Sequence, residues 1–176
     1  LGSKSEGAAS RVKMKWNVPA VVMVFVVITI ILQGAMRDGV TTWVPTYISE
    51  TFSLGADISV LTGVVMPMFC LTLTEHIYYK IGSVQKCSFI YFALALTASA
   101  ILPYAAKSGV VIAILLSSII VGCMHGINLL QTCMLPRLLA GTEQIGFASG
   151  VLNGCVYIGS AISTYGFARI SESFGW

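Results

Sequence analysis

The chain has 176 residues, of which 56% are hydrophobic and only 10% are charged, with a formal net charge of +3. A soluble domain carries about a quarter charged residues, so this composition excludes a soluble enzyme. A transmembrane helix needs about 20 apolar residues, so the length allows five or six spans with short loops. The composition therefore predicts an all-α integral membrane protein.

The first span is predicted at about residues 17–47. An apolar run from Val18 to Leu32 continues through Arg37 and Asp38 to Trp43, with aromatic residues at both ends. Aromatic side chains of this kind mark the two membrane interfaces. Residues 1–16 are polar and then basic, and we predict that they lie in the cytoplasm. Because no Met begins the chain, we expect it to start partway through a longer protein.

Four further spans are predicted at about 58–78, 88–104, 110–135 and 145–167. With alternating sides, seven basic residues share one face, namely Lys4, Arg11, Lys13, Lys15, Lys80, Lys86 and Arg137. The opposite face carries Lys107 and Arg169. The positive-inside rule then places the N-terminal segment in the cytoplasm and the C-terminal end outside a plasma or inner cell membrane. The basic residues form no cluster that could follow a nucleic acid backbone, so no nucleic acid partner is expected.

Arg37 is the basic residue that the span pattern places inside the membrane. An Arg at the centre of a spanning helix costs about 2.5–3.5 kcal/mol on insertion scales, so it normally faces a partner or a wet cavity. Two interpretations remain open at this point. Arg37 either extends to the interface or pairs with Asp38 or another acidic group, or it binds an anion in a cavity.

The fourth span carries a polar stripe. His125, Asn128 and Thr132 are spaced by three and four residues and share one helical face, with Gln131 beside it. The stripe predicts either the wall of a substrate cavity or a set of interhelical hydrogen bonds. In the fifth span Asn153 and Tyr157 are also four apart, and we predict that they support the same cavity.

Glycines recur at four-residue steps in the last two spans, at Gly122 and Gly126 and at Gly146, Gly150 and Gly154. Small residues at this spacing let helix backbones approach closely. The pattern predicts packing seams, either static or able to rock.

Motifs for hydrolysis, group transfer or ATP binding are missing from the sequence, and no His or carboxylate pair has metal-ligand spacing. We therefore predict a protein that is not an enzyme, with no catalytic residue, no metal and no cofactor.

The segment RDGVTTWVPTYI, from Arg37 to Ile48, resembles the seventh helix of major facilitator superfamily transporters, most closely the organophosphate:phosphate antiporters. The family's Arg, Gly, Trp and Pro-Thr-Tyr correspond in register to Arg37, Gly39, Trp43 and Pro45–Tyr47. The resemblance extends over helices seven to eleven, ending before the last helix. The family has an aromatic residue at the position of Asp38 and an acidic one at that of Thr42, so these two positions depart from its pattern.

The resemblance implies that residues 17–176 are the C-terminal half of a transporter and that residues 1–16 are the end of its central loop. It implies a secondary-active transporter of small organic anions, with sugar phosphate or glycerol phosphate exchanged for phosphate as the first candidates. The binding residues would be Arg37, His125, Asn128 and Gln131, supported by Asp38 and Trp43. The implied partners are the substrate, the lipid bilayer and an N-terminal transmembrane half outside this sequence.

Three rival functions remain. One is a transporter-like membrane sensor of the same ligand, and another is a proton-coupled transporter of a different small solute. The third is an autonomous five-span protein with a structural role.

Overall fold

The computed structural model describes residues 18–55, 57, 65–105, 107, 109–140 and 144–174. Helices make up the regular structure of these residues. In chain order they are α1 (Ala20–Phe52), α2 (Met66–Ile81), α3 (Val84–Ala105), α4 (Val110–Leu129), a π-helical turn (Leu130–Met134), α5 (Leu135–Leu139) and α6 (Ile145–Phe174).

Four of the helical segments are long and apolar enough to cross a membrane: Ala20–Phe52, Val84–Ala105, Val110–Leu139 and Ile145–Ile170. The all-α class is confirmed, together with four of the five predicted spans as candidate membrane helices. The remaining predicted span, at 58–78, corresponds in part to α2, which has 16 residues. Residues 58–64 of that prediction lie outside the described residues.

Local backbone chemistry decides where these helices end. Pro45 lies inside α1, yet the helix continues to Phe52 and ends at Ser53, which adopts the left-handed conformation with φ of 53°. α2 ends at Gly82, whose φ is +66°, and the Gly82 N–H bonds to the Tyr78 carbonyl. Glycine adopts this conformation without a steric penalty, so it allows the tight turn into α3.

The segment from α4 to α5 occupies the centre of the described fold. It packs against α1, α2 and α3, and 56% of its most apolar window is buried, compared with 22% in each of the other three candidate spans. α6 instead lies mainly along α1, and it also contacts α5 and the π turn. This arrangement places the polar face of α4 next to α1.

Three apolar clusters hold the helices together. One joins α3 to α4 through Tyr91 and Ile127, and α2 packs against it. A second joins α1, α3 and α4 around Ile48 and Ile120. The third joins α1, α5 and α6 around Ile30 and Leu152. Because lipid is as apolar as these side chains, close van der Waals packing and interhelical hydrogen bonds stabilise such contacts more than the hydrophobic effect does.

The π turn interrupts the long helix shortly before a proline. The Leu135 N–H bonds to the Leu130 carbonyl, five residues earlier, instead of four. Pro136 has no N–H to donate to the Thr132 carbonyl. The Ser149 hydroxyl of α6 donates to that carbonyl instead, at 2.8 Å. The interruption therefore ties the start of α6 to the end of α4.

Candidate functional site

Arg37 lies near the middle of α1 and is largely buried, with 13% of its side chain exposed. Its Nε–H donates to Asp38 Oδ1 at 2.5 Å, and Asp38 is 24% exposed. The Thr41 hydroxyl, one turn later, donates to the Arg37 carbonyl. A cation at this depth requires compensation, and the neighbouring carboxylate supplies it. The predicted pairing of Arg37 with Asp38 is therefore present in the structure.

Two other helices bring polar groups to this pair. Ser160 of α6 lies within hydrogen-bonding reach of the Asp38 carboxylate. His125 of α4 is close enough to experience the charges of both Arg37 and Asp38. The cluster formed by Arg37, Asp38, His125 and Ser160 is called the charged cluster below. It lies where α1, α4 and α6 meet.

The orientation of His125 follows from one hydrogen bond. Its Nδ1 lies 3.0 Å from the Val121 carbonyl oxygen. Because a carbonyl oxygen only accepts, Nδ1 carries the hydrogen, and the lone pair of the neutral ring is on Nε2. The half-buried imidazole therefore offers an acceptor when neutral and a second donor when protonated.

Glycines explain how α6 approaches α1 closely enough to reach Asp38. A Cβ added to Gly159 would overlap the Ile31 carbonyl oxygen, and one added to Gly34 would overlap the Val156 carbonyl oxygen. The two backbones therefore touch directly. Gly159 precedes Ser160 in the chain, so this contact places the Ser160 hydroxyl beside the carboxylate.

The predicted cavity residues of α4 separate into two groups. Asn128 is half-buried one turn beyond Met124, and its Oδ1 has no hydrogen-bond partner among the described residues. Gln131 is 6% exposed and lines a different cavity, between α1 and α3, in which none of the charged cluster takes part. Gln131 lies inside the π turn, whereas Asn128 precedes it, so regular helical spacing no longer relates the two side chains. The structure thus does not bring Gln131 to Arg37.

The predicted supporting residues also differ in position. Trp43 is half-buried on α1, and Asn153 is half-buried on α6. Tyr157 is 62% exposed on the outer surface. A supporting role for Tyr157 therefore needs a neighbour beyond the described residues.

The two predicted glycine seams have opposite environments. In α4, a Cβ at Gly122 would overlap Cys70 Sγ, and a Cβ at Gly126 would lie 2.6 Å from Thr74 Oγ1. In α6, an added Cβ at Gly146, Gly150 or Gly154 would meet no described atom within 4 Å. Among the described residues, the seam of α6 is therefore at Gly159, and the predicted stripe faces open space. Open space results because α1 contacts the opposite face of α6, on which Leu152 and Val156 are fully buried.

Gln33 is a functional candidate that sequence reasoning did not single out. Its side chain is 1% exposed, and its Nε2 donates to the Met124 carbonyl of α4 at 3.0 Å. This bond fixes α1 against α4 one turn before Arg37. The sequence does contain a signal for this residue. Gln33 is an amide directly after an apolar run, and a polar side chain surrounded by hydrocarbon requires a hydrogen-bond partner on another helix.

The described residues contain no group of three or more His, Cys, Asp or Glu side chains that could hold a metal ion. The five cysteines are free, and three of them, Cys70, Cys87 and Cys123, lie among the contacts of α2, α3 and α4.

No protein-family model, no curated protein and no solved structure matches this chain.

Proposed function

We propose that this chain is the C-terminal half of a secondary-active membrane transporter of the major facilitator type, and that it moves small organic anions by alternating access. Sugar phosphate or glycerol phosphate exchanged for phosphate is the first candidate reaction. The observation that carries the proposal is the position of Arg37, largely buried within a candidate membrane span where three helices meet.

The geometry of Arg37 suits an anion with two oxygens. The bond to Asp38 uses Nε, and no described residue accepts a hydrogen bond from the two terminal amino groups. These groups form the flat fork that binds carboxylate or phosphate through two parallel hydrogen bonds. Asp38 fixes the plane of that fork before the substrate arrives, which reduces the ordering cost of binding.

The neighbouring α4 groups extend the polar surface that a substrate would contact. His125 offers one ring nitrogen beyond its bond to Val121, and Asn128 Oδ1 has no hydrogen-bond partner in the described part of the chain. A phosphate ester carries hydroxyl groups that would donate to such acceptors. Gln131 lies in a separate cavity, so we leave it out of the proposed substrate site.

Alternating access requires helices that move as units around a site near the middle of the membrane. The backbone contacts of Gly34 with Val156 and of Gly159 with Ile31 couple α1 to α6, and Gln33 couples α1 to α4. The charged cluster therefore lies on helices that would move together. By the positive-inside rule, we propose that the N-terminal segment lies on the cytoplasmic side of a plasma or inner membrane.

Exchange in vesicles tests the proposal. The full-length protein is reconstituted into proteoliposomes loaded with phosphate, and uptake of radiolabelled phosphate, glycerol 3-phosphate and glucose 6-phosphate is measured. The proposal predicts uptake that depends on phosphate inside the vesicle. Binding of these compounds without uptake would instead identify a membrane sensor. The absence of both binding and uptake would contradict the anion assignment.

One observation favours a second candidate, a proton-coupled transporter. Arg37 already has an anionic partner in Asp38, so an arriving anion competes with that carboxylate. Protonation of Asp38 or His125 would make the net charge of the charged cluster more positive, which favours binding of an anion beside Arg37. Uptake driven by an inward proton gradient, and lost in Asp38→Asn, would favour this candidate over exchange. Uptake that does not depend on the proton gradient would exclude a proton-coupled transporter.

A further inference from the structure

The charged cluster carries little net charge for an anion to bind. Arg37 contributes one positive charge, Asp38 beside it contributes one negative charge, and the ring of His125 in its neutral form contributes none. The other charged side chains of α1, α4, α5 and α6 lie at least nine residues along their helical segments from any member of the cluster, namely Glu50, Arg137, Arg169 and Glu172. Among the described residues, Asp38 is therefore the charge that an anion at Arg37 meets next.

Both side chains of the pair reach a surface from which a solute can approach, since 13% of Arg37 and 24% of Asp38 remain exposed. Asp38 Oδ1 accepts from Nε of the guanidinium. The two terminal amino groups of Arg37 have no acceptor among the described residues. An anion on these amino groups therefore shares one guanidinium with the Asp38 carboxylate.

Two opposing effects determine which anion charge binds best. The attraction to Arg37 and the repulsion from Asp38 both grow in proportion to the charge of the anion. The cost of removing the anion from water grows with the square of that charge. Because Asp38 cancels much of the attraction, a second unit of charge adds more desolvation cost than binding energy. The pair therefore favours an anion with a single charge.

We propose that Asp38 selects the substrate by its charge, and that the substrate group bound at Arg37 is a monoanion. The class comprises a carboxylate, a sulfonate, or a phosphate group that carries one proton or a second ester bond. This proposal rests on the proposed anion site at Arg37 and narrows its substrate class. Asp38 is then a specificity-determining residue that acts through the charge it places beside the fork.

The test uses sulfate and methanesulfonate as matched probes. A methyl group replaces one oxygen in methanesulfonate, so the two ions have similar size and shape, while sulfate is doubly charged and methanesulfonate singly charged. Neither ion changes its charge near neutral pH. The affinity of the full-length protein for each ion is obtained from the rise of its thermal midpoint with ion concentration, at constant ionic strength.

The wild type should bind methanesulfonate more tightly than sulfate. Asp38→Asn removes the charge but keeps the shape of the side chain and an oxygen that accepts from Arg37 Nε. Both ions should bind this variant more tightly, by one factor for methanesulfonate and by about the square of that factor for sulfate. For an ion about 8 Å from the carboxylate, at an effective dielectric constant of about 20, the factor for methanesulfonate is above roughly ten.

Two further variants serve as controls. Asp38→Glu keeps the charge, so it should keep the wild-type preference for methanesulfonate. Glu50→Gln removes an exposed carboxylate of the same helix that lies about 18 Å further along α1, beyond the Debye length of about 10 Å. The affinities of Glu50→Gln for both ions should therefore equal those of the wild type.

Equal factors for the two ions in Asp38→Asn would overturn the proposal, because a residue that only positions Arg37 acts on both ions alike. A wild type that prefers sulfate would overturn it as well and leave the anion site intact. Binding of neither ion by the wild type and by Asp38→Asn would instead contradict the proposed function, and charge selection with it. The wild-type preference decides the matter even where Asp38→Asn fails to fold.

Discussion

The glycine stripes of α4 and α6 have the same spacing and opposite surroundings. Gly122 and Gly126 press α4 against Cys70 and Thr74 of α2, whereas Gly150 and Gly154 of α6 face open space. The contact of α6 is instead made on the opposite face of the helix, where Gly159 touches the α1 backbone. Four-residue spacing therefore identifies a face that permits close approach, while the positions of the neighbouring helices decide whether the approach occurs.

The two contacts also differ in what the glycine touches. At Gly159 the obstacle is backbone, which moves only if the whole helix moves. At Gly122 and Gly126 the obstacles are side chains, which can rotate. The contact between α1 and α6 should therefore tolerate less change than the contact between α4 and α2.

The largest effect is expected for Gly159→Ala. The added methyl group would occupy the position of the Ile31 carbonyl oxygen, so the two helices would have to separate. Overpacking typically costs about 1–3 kcal/mol, and a backbone obstacle places this variant at about 3 kcal/mol or above. The free energy of unfolding of the full-length protein, measured by SDS titration from mixed micelles, checks the value. A loss below 1 kcal/mol would mean that α1 and α6 do not touch as described.

A smaller loss, of about 1–2 kcal/mol, is expected for Gly122→Ala. The added methyl group overlaps Cys70 Sγ, a side chain that can rotate away. Cys70→Ala removes the sulfur, so the double variant should recover at least half of the loss, measured as coupling in a double-mutant cycle. Strictly additive losses would show that these two residues are not in contact.

Gln33→Leu should cost about 0.6–1.7 kcal/mol, the range for interhelical hydrogen bonds in membranes. The substitution removes the bond to the Met124 carbonyl and keeps most of the side-chain volume. Gln85→Leu, at an exposed amide at the start of α3, is the matched control and should change stability by less than 0.5 kcal/mol. Equal effects of the two variants would remove Gln33 from the contact between α1 and α4.

The smallest effect is expected for Gly150→Ala and Gly154→Ala. Each added methyl group meets no described atom within 4 Å, and alanine is the better helix former by about 1 kcal/mol. Stability should therefore stay level or rise slightly. A loss above 1 kcal/mol would show that this face packs against a segment outside the described residues, as the sequence pattern predicted.

Hydropathy predicted the helices because it depends on the composition of each run alone. The four candidate spans follow the apolar runs, although α1 extends to Phe52 and α6 to Phe174, beyond the predicted ends at 47 and 167. The contact faces were harder to predict because nearly every face of these helices is apolar. The periodicity of apolar residues then does not show which face of a helix is buried. Helices that are distant in the sequence determine which residues meet.

In the candidate site too, the charged and polar residues could be predicted from the sequence, whereas the residues that meet through helix packing could not. Arg37 and Asp38 stood out as charges inside an apolar run, and His125 as a polar residue on the α4 face towards them. Ser160 gave no comparable signal, since its position depends on the close contact at Gly159. Gln131 was grouped with Asn128 by regular helical spacing, and the π turn at Leu130–Met134 breaks that spacing. Its cavity with α1 and α3 could be recognised only from the structure.

The central claim is that Arg37 binds an anion through its planar fork. Binding of inorganic phosphate and glycerol 3-phosphate to the full-length protein is measured for the wild type, Arg37→Lys and Arg37→Ala, with the thermal midpoint of each. Lysine keeps the charge but lacks the fork, so we predict at least tenfold weaker binding for Arg37→Lys at a similar midpoint, and weaker binding still for Arg37→Ala. Equal binding by all three proteins, with stability reduced only in Arg37→Ala, would contradict the claim and leave Arg37 as the structural partner of Asp38.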